Sequence, residues 1–277
     1  MKFHKMHGAG NDYIYVDARK GKETIENPSV LSQKISDRHF GVGSDGLVLI
    51  MDSEIADYRM RMFNADGSEA GMCGNASRCV GKYLYDMGIT DQKEIALETK
   101  SGIKYLSLTL TDGVVSTVSV DMNEPELSTE LIPMLGTETK GVSIKTKHGE
   151  FTATCVSMGN PHAVIFVDDV ENYPVEQIGK TIEKHSLFPE YTNVEFAEII
   201  SKDEIKMRVW ERGSGETLAC GTGACATLVA AKLNGLSGRS ATIKLLGGDV
   251  NVEWSKRTNK VTLTGGAEWV FEGEYLG

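Results

Sequence analysis

The stretch MRMFNADGSEAGMCGNASRCV, residues 60–80, returns in altered form as MRVWERGSGETLACGTGACAT, residues 207–227. A shift of 147 residues aligns the two stretches without a gap and places Cys73-Gly74 over Cys220-Gly221. Each stretch begins with alternating apolar residues, as a strand does, and continues through a polar turn to Cys-Gly and a helix-like run. The repeat predicts a fold of the α/β (α+β) class, with two halves that are each built largely of strands around one important helix.

A polar segment that contains a proline, DMNEPELS at residues 121–128, marks the predicted boundary between the halves. The N-terminal half then covers residues 1–120, and the C-terminal half covers residues 121–265. Clefts between packed domains are common ligand sites, so we expect the active site between the halves.

The composition of the chain limits the kinds of partner that we expect it to bind. A formal net charge of −10 argues against nucleic acid, which requires a basic face. The 277 residues include neither an export-signal pattern at the start nor an apolar stretch long enough to cross a bilayer. We therefore expect a cytoplasmic protein with a small-molecule substrate and no membrane partner, and the sequence leaves a homodimer open.

The five cysteines do not have the pattern of a disulfide scaffold or of a zinc site. Their count is odd, and the spacings CGNASRC and CGTGAC differ from the two-residue spacing of zinc knuckles. Cys79 and Cys225 lie within predicted helices, and Cys155 lies within a strand-like run. For these three thiols we expect a packing role. No metal is predicted.

Cys73 and Cys220 are different, because each comes directly before a helix in equivalent parts of the repeat. A helix start favours a thiolate, so we expect the pKa of both thiols to fall towards neutrality. One activated thiol would suggest a nucleophile, but two related by a repeat suggest a pair that holds a substrate carbon between them. One thiolate removes a proton and the opposite thiol returns one, which inverts the carbon.

Removing such a proton requires stabilisation of the charge that develops on the substrate carboxylate. The backbone N–H groups around Gly74-Asn75 and Gly221-Thr222 can supply it. No pattern indicates pyridoxal phosphate, the usual electron sink for this chemistry, and we expect no cofactor. Taken one at a time, the nearby Asn and His residues are better explained by turns and structural contacts.

Four blocks together are more specific: MHGAGNDY (6–13), FNADGSEAGMCGNASRC (63–79), SMGNPH (157–162) and WERGSGETLACGTGACA (210–226). They resemble the signature blocks of the diaminopimelate epimerase family, in order and at fitting distances. The resemblance implies cofactor-independent conversion of LL-2,6-diaminopimelate to the meso isomer by a thiolate/thiol pair, in lysine and peptidoglycan precursor biosynthesis. It also implies two pseudo-symmetric domains, each a curled, mostly antiparallel sheet or barrel around a central helix, with residues 266–277 returning to the first.

The same resemblance implies roles for individual residues. Cys73 and Cys220 correspond to the acid–base pair, while His162 and Glu211 correspond to residues that tune the thiols. The positions that match the family's substrate contacts are Asn11, Asn64, Gly74, Asn75, Asn160, Asn193, Glu211, Arg212, Gly221 and Thr222. The Arg212 guanidinium would hold the distal carboxylate in two parallel hydrogen bonds.

The sequence departs from the family pattern at two positions, and three alternative functions remain open. Gly46 stands where some family members have a substrate-contacting Gln, and Ala76 stands where Gly is common. A proline-racemase-like enzyme would share the paired thiols but would not need Arg212 and Asn64. A phenazine-biosynthesis-type isomerase would lack the matched cysteines, and a non-catalytic protein with redox-sensitive or metal-binding cysteines is the alternative outside enzymes.

Overall fold

The computed structural model describes residues 1–277, which divide into two compact units. Unit 1 contains Met1–Val120 together with Thr264–Gly277, and unit 2 contains Asp121–Leu263. The chain is mostly strand, with four α-helices. No helix is both long enough and apolar enough to span a bilayer.

Unit 1 is a sheet with two helices. Its strands run in the order β18-β1-β2-β3-β4-β6-β7-β8, and short β5 pairs with β4. The pairs β2–β3 and β4–β6 are parallel, and the other pairs in this series are antiparallel. The elements are β1 (Lys2–Gly8), β2 (Asn11–Asp17), α1 (Pro28–Ser36), β3 (Gly46–Met51), β4 (Tyr58–Asn64), β5 (Glu69–Ala70), α2 (Gly74–Asp86), β6 (Glu94–Thr99), β7 (Gly102–Thr111), β8 (Val114–Asp121) and β18 (Glu268–Glu274).

Unit 2 repeats this plan. Its strands run in the order β9-β10-β11-β12-β13-β15-β16, and short β14 pairs with β13. Here β11–β12 and β13–β15 are the parallel pairs. The elements are β9 (Lys140–Thr146), β10 (Gly149–Ser157), β11 (Pro161–Phe166), α3 (Val175–Glu183), β12 (Asn193–Ser201), β13 (Glu204–Glu211), β14 (Gly215–Thr217), α4 (Gly221–Leu233), β15 (Ser240–Leu245) and β16 (Gly248–Trp254). Strand β17 (Val261–Gly265) contains the end of unit 2 at Leu263.

The long helices α2 and α4 occupy the same place in each plan. Each has 13 residues, each follows a short strand, and each links two parallel strands. Ten of the 13 residues of α4 are buried, and it packs against strands β10, β11, β12, β15 and β16. Eleven of the 13 residues of helix α2 are buried, and it packs against β1, β2 and β7. The predicted helices after Cys73 and Cys220 are therefore confirmed, as is a mostly antiparallel sheet around a buried helix in each unit.

The shorter helices add a second layer to each unit. Asn27 is the N-cap of helix α1, and its side chain accepts a hydrogen bond from the Val30 N–H, while Pro28 occupies the first turn. It packs on β3 and β4, and α3 packs on β12 and β13. Both helices link parallel strands, which require a crossover connection, so their positions follow from the sheet topology.

Candidate active site

Each of the two matched cysteines is the N-cap of a buried helix. Cys73 precedes α2 with φ −134° and ψ 124°, and Cys220 precedes α4 with φ −125° and ψ 109°. The cap residue of a helix is extended while the residues after it are helical, and the first N–H groups of the helix lack intrahelical acceptors. Both thiols thus lie beside backbone donors that can bind an anion.

The Cys73 thiol is half-buried and donates to the Asn11 side-chain oxygen at 3.3 Å. Asn75, in the first turn of α2, donates its amide to the same oxygen at 3.2 Å. The Oδ1 atom of Asn75 is buried without a hydrogen-bond partner. Buried acceptors are normally paired, so this oxygen is suited to a donor group of a ligand. Unit 1 brings together three of the predicted site residues at this point.

The orientation of Asn11 is fixed from its other end. Its Nδ2 donates to Asp45 Oδ2 at 2.7 Å, which leaves Oδ1 to face Cys73. Burial raises the pKa of Asp45, and the nearby charge of Asp12 raises it further. Arg38 bonds to both carboxylates at 3.1 Å and compensates part of this repulsion. Asp45 therefore acts on Cys73 indirectly, through Asn11.

The Cys220 thiol is buried among polar groups of unit 2. It lies 3.5 Å from the Thr222 hydroxyl. The Thr217 hydroxyl donates a hydrogen bond to Glu211 Oε1. Burial raises the pKa of Glu211, against the lowering effects of Thr217 and Cys220.

His162 lies at the centre of a chain of three hydrogen-bonded side chains. Its Nδ1 is 2.7 Å from Glu195 Oε1, and its Nε2 is 3.1 Å from Asn160 Oδ1. His162 and Glu195 are both fully buried. The charge of Glu195 also acts on Cys220 and Glu211, so the chain and the thiol form one electrostatic cluster.

The expectation of a lowered thiol pKa is wrong for Cys220. Burial raises the pKa of this thiol well above its ordinary value, and the charges of Glu211 and Glu195 add to the effect. The Thr222 hydroxyl and the Gly223 N–H oppose the rise without overcoming it. The helix start is present as predicted, but desolvation and two carboxylates outweigh it.

The remaining predicted residues form hydrogen bonds with neighbouring protein groups in this structure. Asn64 donates to the Ser68 hydroxyl at 3.0 Å. Asn193 donates to the Pro161 carbonyl at 2.8 Å and accepts from the Arg212 N–H at 2.9 Å, so both ends of its amide are engaged. The exposed Arg212 side chain donates to the Glu190 carbonyl at 2.9 Å. Their assignment to substrate stays a prediction.

Both departures from the family pattern have local explanations. A Cβ on Gly46 would overlap the Phe63 carbonyl oxygen, so no side chain fits there without backbone movement. Ala76 is fully buried without difficulty, whereas its equivalent, Gly223, faces Glu195 Oε1 and the Cys220 sulfur. The two helix starts therefore differ in how much space they leave.

Sequence reasoning missed Asp45 and Glu195. Asp45 directly precedes Gly46 in the motif GVGSDGL, and Glu195 directly follows Asn193-Val194. The useful signal for Glu195 was a charged residue in the run NVEFA, which is otherwise apolar after Asn193. Charges within buried strands are rare unless they are paired. No group of three or more His, Cys, Asp or Glu side chains is gathered as a metal site, and all five cysteines are outside disulfides.

Comparison with known proteins identifies the family. A sequence profile described as diaminopimelate epimerase matches residues 3–128 and 154–270. This chain belongs to the diaminopimelate epimerase family. A diaminopimelate epimerase from Acetivibrio thermocellus is 59% identical over 278 residues, which cover 99% of this chain and 98% of that protein. One from Methanococcus maripaludis strain C5 is 57% identical over 276 residues and 99% of each chain.

Solved structures of more distant proteins share the fold of this diaminopimelate epimerase family member. A phenazine biosynthesis protein of the PhzF family from Bacillus anthracis has a TM-score of 0.73 at 18% identity, covering 100% of this chain and 99% of its own. A probable proline racemase from Agrobacterium radiobacter K84 has a TM-score of 0.72 at 16% identity, covering 99% and 92%. At these identities the likeness shows the fold alone. The predicted fold class and the family resemblance are confirmed.

Proposed function

We propose that this chain interconverts LL- and meso-2,6-diaminopimelate without a cofactor, with Cys73 and Cys220 as the acid–base pair at one α-carbon. The observation that carries the proposal is the equivalence of the two cysteines. They are separated by the repeat shift of 147 residues, and each is the N-cap of the buried 13-residue helix of its unit. Family membership supports the substrate, and lysine and peptidoglycan precursor biosynthesis in the cytoplasm is the corresponding setting.

The chemistry is a transfer of two protons. One cysteine, as thiolate, takes the proton from the α-carbon, and the electron pair of the C–H bond moves towards the carboxylate. The other cysteine, as thiol, gives its proton to the opposite face of the carbon, which inverts the centre. Exchange with solvent then restores the two sulfurs, and the reverse reaction exchanges their roles.

The backbone N–H groups at the two helix starts stabilise the carbanionic intermediate. The N–H groups around Gly74-Asn75 and Gly221-Thr222 lie at the starts of α2 and α4, where they can bind an anion without reorganisation during the reaction. The unpaired Oδ1 of Asn75 is suited to the substrate ammonium group. Arg212 is proposed to bind the distal carboxylate, with Asn64, Asn160 and Asn193 as further contacts to the substrate.

Deuterium incorporation tests the proposal directly. Incubation of the LL isomer with the protein in heavy water should give meso product with one deuterium at the newly inverted α-carbon, measured by mass spectrometry. Proline serves as the control substrate and should not be racemised. Epimerisation without solvent label would contradict the two-base chemistry, and absence of epimerisation would contradict the function itself.

A further inference from the structure

Two carboxylates lie beside Cys220, and neither has a charged equivalent in unit 1. The shift of 147 residues aligns Glu195 with Val48 and Glu211 with Asn64. Both glutamates belong to the environment of Cys220, whereas the aligned residues carry no charge. The repeat is therefore electrostatically asymmetric at the positions that flank its thiols.

Glu195 lies close to the start of α4. An ideal Cβ on Gly223 would be 2.7 Å from Glu195 Oε1 and 3.3 Å from Cys220 Sγ, so oxygen and sulfur are at most about 6 Å apart. A side chain at residue 223 would be crowded by both atoms, which explains why unit 2 has Gly where unit 1 has Ala76. The fold thus leaves space at this point for a carboxylate beside the thiol.

The two oxygens of Glu195 have different surroundings. Oε1 binds His162 Nδ1 at 2.7 Å, and Oε2 is buried without a hydrogen-bond partner. A fully buried carboxylate with an unpaired oxygen is costly to maintain. Glu195 also contacts the residue that the family resemblance links to thiol tuning, so a role at the thiol accounts for its presence better than packing does.

We propose that Glu195 is a positioning residue that holds His162 and adds its charge to the burial that disfavours the Cys220 thiolate, so that Cys220 is the acid in the direction of reaction that begins with the proton on this sulfur. The proposal rests on the acid–base function proposed above. The charged or titratable groups around Cys220 are Glu211 on β13, Glu195 on β12 and His162 on β11, while α4 contributes the Thr222 hydroxyl and the Gly223 N–H. Removing the Glu195 charge should therefore make the Cys220 thiolate easier to form.

The test compares Glu195→Gln with wild type and with Glu198→Gln. Glu198 lies on the same strand, and its carboxylate accepts the Val170 N–H away from the cysteine, so this variant is a matched control. The readout is the rate at which iodoacetamide alkylates Cys220 as a function of pH, followed by mass spectrometry of the peptide that carries it. We expect the midpoint to fall by about one pH unit in Glu195→Gln and to stay in place in Glu198→Gln.

An unchanged or raised midpoint in Glu195→Gln would overturn the proposal. A second measurement uses only the wild-type protein, so it does not depend on whether a variant folds. The pH midpoint of Cys220 alkylation in the folded protein should lie above the midpoint for the same cysteine in urea-unfolded protein. A midpoint at or below the unfolded one would also overturn the proposal. Alkylation does not require turnover. A wild-type protein without epimerase activity but with the Glu195-dependent shift would therefore refute the proposed function while supporting this inference.

Discussion

At the scale of single residues, the five thiols divide by position rather than by burial. Cys79, Cys155 and Cys225 lie within helices or a strand, and burial raises the pKa of Cys79 and of Cys155 to about 12. Cys73 and Cys220 alone stand at helix starts. The role proposed for these two thiols depends on their position at a helix start and not on their burial.

Cys73→Ala and Cys220→Ala should each lower epimerase turnover by about 100-fold or more, because each direction of reaction needs one acid and one base. The matched control is Cys225→Ala, which removes a buried thiol from within α4 and should leave turnover near that of wild type. The measurement is conversion of LL to meso isomer at catalytic enzyme concentration. Full activity in either of the first two variants would reduce that thiol to a packing role.

Arg212→Lys should raise KM about tenfold or more and change kcat less, because a point charge replaces a planar fork that can bind a carboxylate through two hydrogen bonds. Arg257→Lys, at an exposed position, is the control and should leave both constants unchanged. Steady-state kinetics with the LL isomer decide the matter. An unchanged KM in Arg212→Lys would remove this residue from the substrate site.

At the scale of elements, the order strand, turn, Cys-Gly, helix could be predicted because its signals are local. Alternation marks β4 and β13, and Cys-Gly precedes both long helices. The environment of Cys220 could not be predicted in the same way. Glu195 and His162 are far apart in the sequence. The parallel pairing of β11 with β12, which aligns His162 with Asn193, brings their side chains together. Such register is not encoded in any short stretch.

Helix α3 gives a prediction about packing between elements. A Cβ on its buried Gly179 would overlap the Trp210 Cβ and lie 2.7 Å from Trp210 Cγ on β13. Gly179→Ala should therefore lower the free energy of unfolding by about 1 kcal/mol or more, although Ala favours helix by about 1 kcal/mol. In Gly81→Ala, on α2, the three atoms nearest to the new Cβ are leucine and valine methyl groups at 3.0–3.4 Å, which can move. Urea unfolding should show the larger loss in Gly179→Ala, and an equal loss would contradict this packing.

At the scale of the whole molecule, buried thiols make stability depend on alkaline pH. Burial raises the pKa of Cys155 to about 12, whereas an unfolded cysteine titrates near roughly 8.5. Between these values the folded chain keeps the proton and the unfolded chain loses it. Stability from this group is complete below the unfolded pKa and is lost as the pH rises towards the folded one, by about 1.4 kcal/mol per pH unit.

Cys155→Ala should flatten the alkaline decline by that slope, because alanine has no proton to lose. Val156→Ala, at the next fully buried residue of β10, removes side-chain volume without a titratable group and should keep the wild-type slope. Urea unfolding followed by circular dichroism at intervals from about pH 8 to about pH 10.5 gives the three slopes. Loss of volume lowers all points of a curve by a similar amount, so only the slope reports the thiol. Equal slopes in the two variants would show that Cys155 ionises in the folded protein as readily as in the unfolded chain.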